Sequence, residues 1–170
     1  MLQLSKTYTD RDILSLQTGS QIGKTTKIIM NPNNLQIEGW LASNYLQRGT
    51  FVLPTIEIRE FIPKGVVVND HHALTPTDDL VRMQESIKIG FELFGKPVIT
   101  ERKHRLGKIH DFAVDEDFYV QKLYVSPSLL RTLSTEQKLI DRSDIVEITD
   151  KYIIVKEAVV RAGSPSPAAA

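Results

Sequence analysis

Few stretches of this chain carry residue types that could do chemistry. "TGSQIGKTT" at 18–26 ends in Gly23, Lys24 and Thr25, the tail of a phosphate-cradling loop. Asp70, His71 and His72 stand together and offer metal-ligand atoms. "DEDF" at 115–118 holds three carboxylates in four residues. "ERKHRLGK" at 101–108 gathers Arg102, Lys103, Arg105 and Lys108 around His104, a set that could face phosphates. Trp40, the sole tryptophan, is of the type enriched at binding hot spots.

Each of these meets a physical test. A phosphate loop needs a glycine five positions before Gly23, where this chain has Thr18, and a helix behind it. The residues after Thr25, "TKIIMNPNN", read as a strand running into a turn. Gly23 and Gly107 are therefore expected to be structural glycines at tight bends, and no nucleotide cofactor is expected. Adjacent side chains of an extended segment point to opposite sides, so His71 and His72 are expected not to share an ion, and no metal is expected. "DEDF" lacks the central glycine of a calcium loop and reads as an exposed acidic turn. No "GxSxG" elbow occurs, so the expectation is a non-catalytic protein. The basic turn remains a candidate contact for RNA, another anion or a partner. Trp40 remains a candidate partner contact, although core packing competes for it.

The elements that must position these residues repeat. "QIGKTTKIIMN" at 21–31 is echoed by "RLGKIHDFAVD" at 105–115, with Gly23 matching Gly107 and Lys24 matching Lys108. "IEGWLAS" at 37–43 runs parallel to "VQKLYVS" at 120–126, which matches Trp40 with Leu123. "LPTIEIREFIPKGVVVND" at 53–70 resembles "IDRSDIVEITDKYIIVKE" at 140–157. Blocks in the same order, twice, indicate two copies of one module. Each copy is rich in short β-branched runs such as "KIIM", "GVVV", "IVEI" and "YIIV", separated by turn residues. Five or six short strands in about 65 residues suggest a small barrel or rolled sheet, since closure removes edges.

Between the copies the spacing predicts a helix, capped by Thr75 with Pro76 in its first turn and ended at Gly95. Leu80, Met83, Ile87, Phe91 and Phe94 fall on one face of it. A shorter helix is expected from "SPSLLRTL", capped by Ser126. The expected division is a first module over 1–70, a linker with the amphipathic helix over 71–95, a second module over 96–160 and a disordered tail over 161–170, "RAGSPSPAAA".

Composition sets limits on partners. The 170 residues carry 21 basic and 21 acidic side chains, so no global field draws the chain to nucleic acid or to anionic lipid. With no cysteine, neither disulfides nor thiolate metal sites are available. "MLQLSKTYTDRD" has no signal-peptide core and no run spans a bilayer, so a cytoplasmic protein is expected.

The motifs "LGK" with "HDFAVD", then "KLYV", then "LIDRSDIVEITDKYIIV" resemble the PRC-barrel family. This is the small β-barrel of the reaction-centre H subunit and of the C-terminal half of the small-subunit ribosome maturation factor. "IGKTTKIIMNPNNLQIEGW" followed by "LPTIEIREF" resembles it less closely, and together the blocks cover about residues 13–157. The resemblance implies two tandem PRC-like barrels in a mainly β protein, without the H subunit's membrane helix. It also implies a non-catalytic adaptor that docks a macromolecular partner, with a protein as the first expectation. An RNA-associated ribosome maturation factor using the basic turn is the alternative, and self-association through exposed strand edges is a third.

Overall fold

The computed structural model describes residues 1–127 and 137–161 of the chain. The expected helix from Ser126 and most of the expected tail lie outside the described residues.

The chain begins with β1 (Gln3–Leu4), then runs through β2 (Asp12–Ser15), β3 (Gln21–Asn31), β4 (Gln36–Asn44), β5 (Phe51–Pro54), β6 (Ile58–Ile62) and β7 (Gly65–Val68). β8 (Thr75–Pro76) and helix α1 (Gln84–Ile89) come next. The second half holds β9 (Pro97–Thr100), β10 (Arg105–Val114), β11 (Val120–Ser126), β12 (Lys138–Asp141), β13 (Ile145–Ile148) and β14 (Ile153–Val155), with helix α2 (Ala158–Arg161) at the end. The fold is mainly β.

Two sheets result. One runs β6-β7-β2-β3-β4-β5-β8, the other β13-β14-β9-β10-β11-β12 with β1 added to β10. Apart from β8 and β1 the two orders are the same: each half has a four-strand meander, and its last strand returns parallel to its first. The repeat in the sequence is thus a repeat of topology. Neither hydrogen-bonded path closes into the barrel that the strand count suggests; the paths end at β6 and β8, and at β12 and β13. β5 and β6 sit near opposite ends of one path, yet only the 3-10 turn Thr55–Glu57 joins them. At roughly 2 Å rise per residue that turn reaches only a short way, so the sheet must roll until its ends approach without pairing. Arg142–Asp144 does the same between β12 and β13.

The segment between the halves differs from the single long helix expected. Thr75 and Pro76 pair with Val52 and Phe51 as β8 instead of starting a helix. Two 3-10 turns come after them, Thr77–Asp79 and Val81–Met83. α1 has six residues, and Gly90 ends it in the left-handed conformation at φ 58°. Beyond that glycine, Phe91 and Leu93 are buried without being helical. The apolar stripe therefore marks inward-facing positions correctly but not their backbone, because β5 offers the start of the segment a sheet edge.

The core crosses the repeat. Met30, Leu35, Ile37 and Trp40 from the first half pack in one buried cluster with Val98, Phe112, Leu123 and Ile153 from the second. A second cluster of Ile13, Leu53, Val66 and Val68 fills the first sheet. β1 crosses over too, pairing Leu4 with Ala113, so the first residues of the expected 1–70 unit hydrogen-bond into the other sheet. Among the described residues no helix is long and apolar enough to cross a membrane.

Candidate functional site

Gly23 and Gly107 occupy equivalent places. A Cβ on Gly23 would run into the carbonyl oxygen of Ser43, and one on Gly107 into that of Ser126. Gly107 also has φ 142°, which a side chain would strain. Lys24 and Thr25 lie within β3, paired to Ser43 and Ala42, so no helix N-terminus backs "GKT". These glycines let two strands cross closely.

Trp40 does not reach the surface. It is 0% exposed, and Tyr8, Phe61 and Phe118 lie around it with ring centroids 5.7–6.1 Å away. It pairs with Leu53 on the neighbouring strand as Leu123 pairs with Ile140 in the second half. Its candidacy as a partner contact is corrected: an indole enclosed by three aromatic rings and both sheets cannot meet a partner.

The basic turn links β9 to β10. Lys103 takes a positive φ of 63° and its N–H bonds to the Thr100 carbonyl at 2.8 Å, closing the turn. Arg102, Lys103, Arg105 and Lys108 are all exposed. Residues three apart on a regular strand face opposite ways, but a register shift between Arg105 and Gly107 resets the alternation. Leu106 and Ile109 are both buried, which leaves Arg105 and Lys108 on the outer face. None of the four forms an ion pair within 4.0 Å among the described residues. Acids are interleaved, however. His104 Nδ1 lies 2.6 Å from Glu157 Oε1, and Glu101 directly precedes Arg102. The Thr100 hydroxyl first, then the His104 ring, hold the Glu157 carboxyl below its ordinary value.

The acidic turn is structural. One oxygen of Asp115 accepts the N–H groups of Asp117 and Tyr119, and the other accepts Gln121 Nε2 at 2.6 Å. His110 contacts Ser126 and Gln137. His71 and His72 depart from the expectation that they point apart. They sit in a 3-10 turn, His71–Ala73, and their ring centroids are 4.0 Å apart.

A groove is present that the sequence did not suggest. Over Thr26–Met30, β3 has β4 on one side and, among the described residues, no strand on the other, since β2 pairs only as far as Lys24. At the end of the equivalent stretch of β10, Ala113 and Val114 pair with β1. In place of a strand, Phe91–Phe94 passes near β3 and leaves an apolar cavity of about 270 Å³. Leu93 and Phe112 are buried in its wall, and Phe94, 44% exposed, packs on Phe112 at 5.0 Å. Lys27 and Glu92 close one rim with an ion pair at 2.5 Å. Lys96 Nζ lies 4.5 Å from the centre of the Phe91 ring, and burial lowers its ammonium from the ordinary value. Phe91 and Phe94 were visible in the sequence as part of the stripe; that they line an unfilled strand position was not.

No family model matches this chain, and no curated protein matches it either.

Proposed function

We propose that this chain is a tandem PRC-like protein and a non-catalytic adaptor, and that it binds a protein partner by taking an extended apolar segment into the groove between β3 and Phe91–Phe94. The observation that carries this reading is the unequal treatment of two equivalent strands. β10 receives β1 on the side that β3 leaves without a strand. A segment entering there would lie as β1 does on β10, adding main-chain hydrogen bonds to an edge while alternate side chains enter the cavity. The lining is apolar, and the rim offers one charge of each sign, from Lys27 and Glu92. Such a surface selects an apolar strand rather than a polyanion.

The identical strand order of the halves supports the tandem assignment, and the close crossings at Gly23 and Gly107 support it further. The cytosol, where a cysteine-free chain loses nothing, is the compartment we propose.

The test is a selection from a displayed peptide library against the full chain, followed by NMR mapping. The reading requires enrichment of segments with alternating apolar residues, with shifts confined to Thr26–Met30 and Phe91–Phe94. It fails if nothing is enriched, or if the shifts lie elsewhere.

One observation favours a second reading: the shift at Gly107 gathers Arg105 and Lys108 on one outer face beside Arg102 and Lys103. On this reading the protein is an RNA-associated ribosome maturation factor. Affinity for RNA would then fall steeply with salt, whereas groove binding would change little.

A further inference from the structure

The metal-ligand residues 70–72 sit far from what an extended chain would make of them. Asp70 is extended, at φ −156° and ψ −171°, and caps the turn after it: its Oδ1 accepts the His72 N–H at 2.7 Å. The turn itself is fastened to the core by its next two residues, Ala73 at 2% and Leu74 at 4% exposure. Leu74 reaches the close crossing at Gly23. The backbone under the two histidines is therefore fixed before any ligand arrives.

The ring centroids lie 4.0 Å apart, with the planes tilted by 37°, instead of diverging. One nitrogen from each, together with a carboxylate oxygen of Asp70, lies within 4.8 Å of the others. Nitrogen and oxygen ligands stand about 2.0–2.2 Å from zinc, so donors around one ion lie somewhat closer together than this. Small rotations of two exposed side chains supply the difference.

We propose that Asp70, His71 and His72 form a binding site for a borderline divalent transition metal, of the class of zinc or nickel. Two imidazoles and one carboxylate are a donor set suited to such ions, while hard cations such as magnesium and calcium require oxygen ligands. Three protein ligands leave a coordination position open. His71 and His72 border a hollow of about 260 Å³ that Asn44 and Gln47 also line, which leaves room for a ligand at the open position. The site is distinct from the groove at β3 and does not depend on its occupant.

The experiment titrates the full chain, purified without a histidine tag, with zinc chloride alone and follows both heat and histidine NMR signals. One equivalent of zinc should bind, shifting His71 and His72 while His104 and His110 stay in place. His71→Ala and His72→Ala should each weaken binding at least about tenfold, the low end of the effect of disturbing a metal site. Asp70→Asn is the control for folding, because an amide oxygen still accepts the His72 N–H; it should preserve the circular dichroism spectrum and weaken zinc binding. Affinity changed less than twofold in all three variants overturns the proposal. So does a response centred on His104, whose partner Glu157 offers the competing pair.

Discussion

Gln36 and Tyr119, which hold the same position in the two halves, form an antiparallel bridge with each other. The bonds around them exchange in kind. Ile37 N–H donates to the Phe118 carbonyl at 2.9 Å, and Val120 N–H donates to the Leu35 carbonyl at 3.0 Å. Leu35 and Phe118, themselves equivalent, both have positive φ, 54° and 65°. The hairpin of one half thus docks on the hairpin of the other about a local two-fold axis, as in an isologous dimer within one chain. Arg142 ties the joint further, donating to both Val120 and Asn34 carbonyls.

The halves should accordingly unfold together. Trp40→Ala removes the fully buried ring against which Phe118 of the other half packs. The expected loss is about 3–5 kcal/mol, as for other buried tryptophans. Urea unfolding followed by circular dichroism and by signals of the second half should show one coincident transition. Two separated transitions would mean that the shared core is not cooperative.

Both structural glycines should resist substitution, and unequally. Gly23→Ala meets the Ser43 carbonyl; Gly107→Ala meets that of Ser126 and also forces φ 142° on a residue with a Cβ. Backbone strain of that kind costs about 1–3 kcal/mol, so the Gly107 variant should melt lower than the Gly23 variant. ATP with magnesium should leave the melting temperature of the wild type unchanged, and a rise of several degrees would restore the phosphate-loop reading.

The rim of the groove should respond to acid. A hydrogen bond from Lys27, then the charge of Lys27, lowers the Glu92 carboxyl below its ordinary value. A folded value below the unfolded one means that the pair's contribution is present above the ordinary glutamate range. It is lost as pH falls through the lowered value. Both side chains are largely exposed, so the effect on stability is small and the titration itself is the readout. Carboxyl NMR should place Glu92 below a model peptide, and Lys27→Met should bring it back.

Groove and basic turn should separate in mutants. Phe94→Arg puts a charge on the exposed wall that packs on Phe112 and should abolish binding of selected apolar peptides, with the fold retained. Replacing Arg102, Lys103 and Arg105 by Gln should leave peptide binding unchanged. If RNA is the partner, the same triple variant should lower the salt slope by about 0.7 per lost contact to a single strand. Peptide binding lost in the triple variant and kept in Phe94→Arg would reverse the assignment.

Local and periodic features were legible along the chain alone. β-branched runs and turn residues mark strands, and repetition of Gly-Lys and of the blocks after it marks two modules of one topology. Matching Trp40 with Leu123 holds in the structure because both are fully buried and both face the same partner strand position. Gly23 and Gly107 stood out as glycines inside strand patterns, read as tight bends; that each lies against the carbonyl of a neighbouring strand came from the structure.

The remaining features came from long-range pairing, because partners far apart in sequence override local preference. The edge of β5 turned Thr75 and Pro76 from a helix start into β8, and Gly90 broke the stripe. A 3-10 turn anchored by Ala73 and Leu74 brought together two histidines that an extended chain would separate. The sheet paths stay open, and β1 crosses over to pair with the end of β10 rather than with β3. Burial of Trp40 comes from the same docking of halves, since its enclosing ring, Phe118, lies 78 residues away in the chain. Such juxtapositions depend on how faces meet, and the spacing of residues along the chain does not encode them.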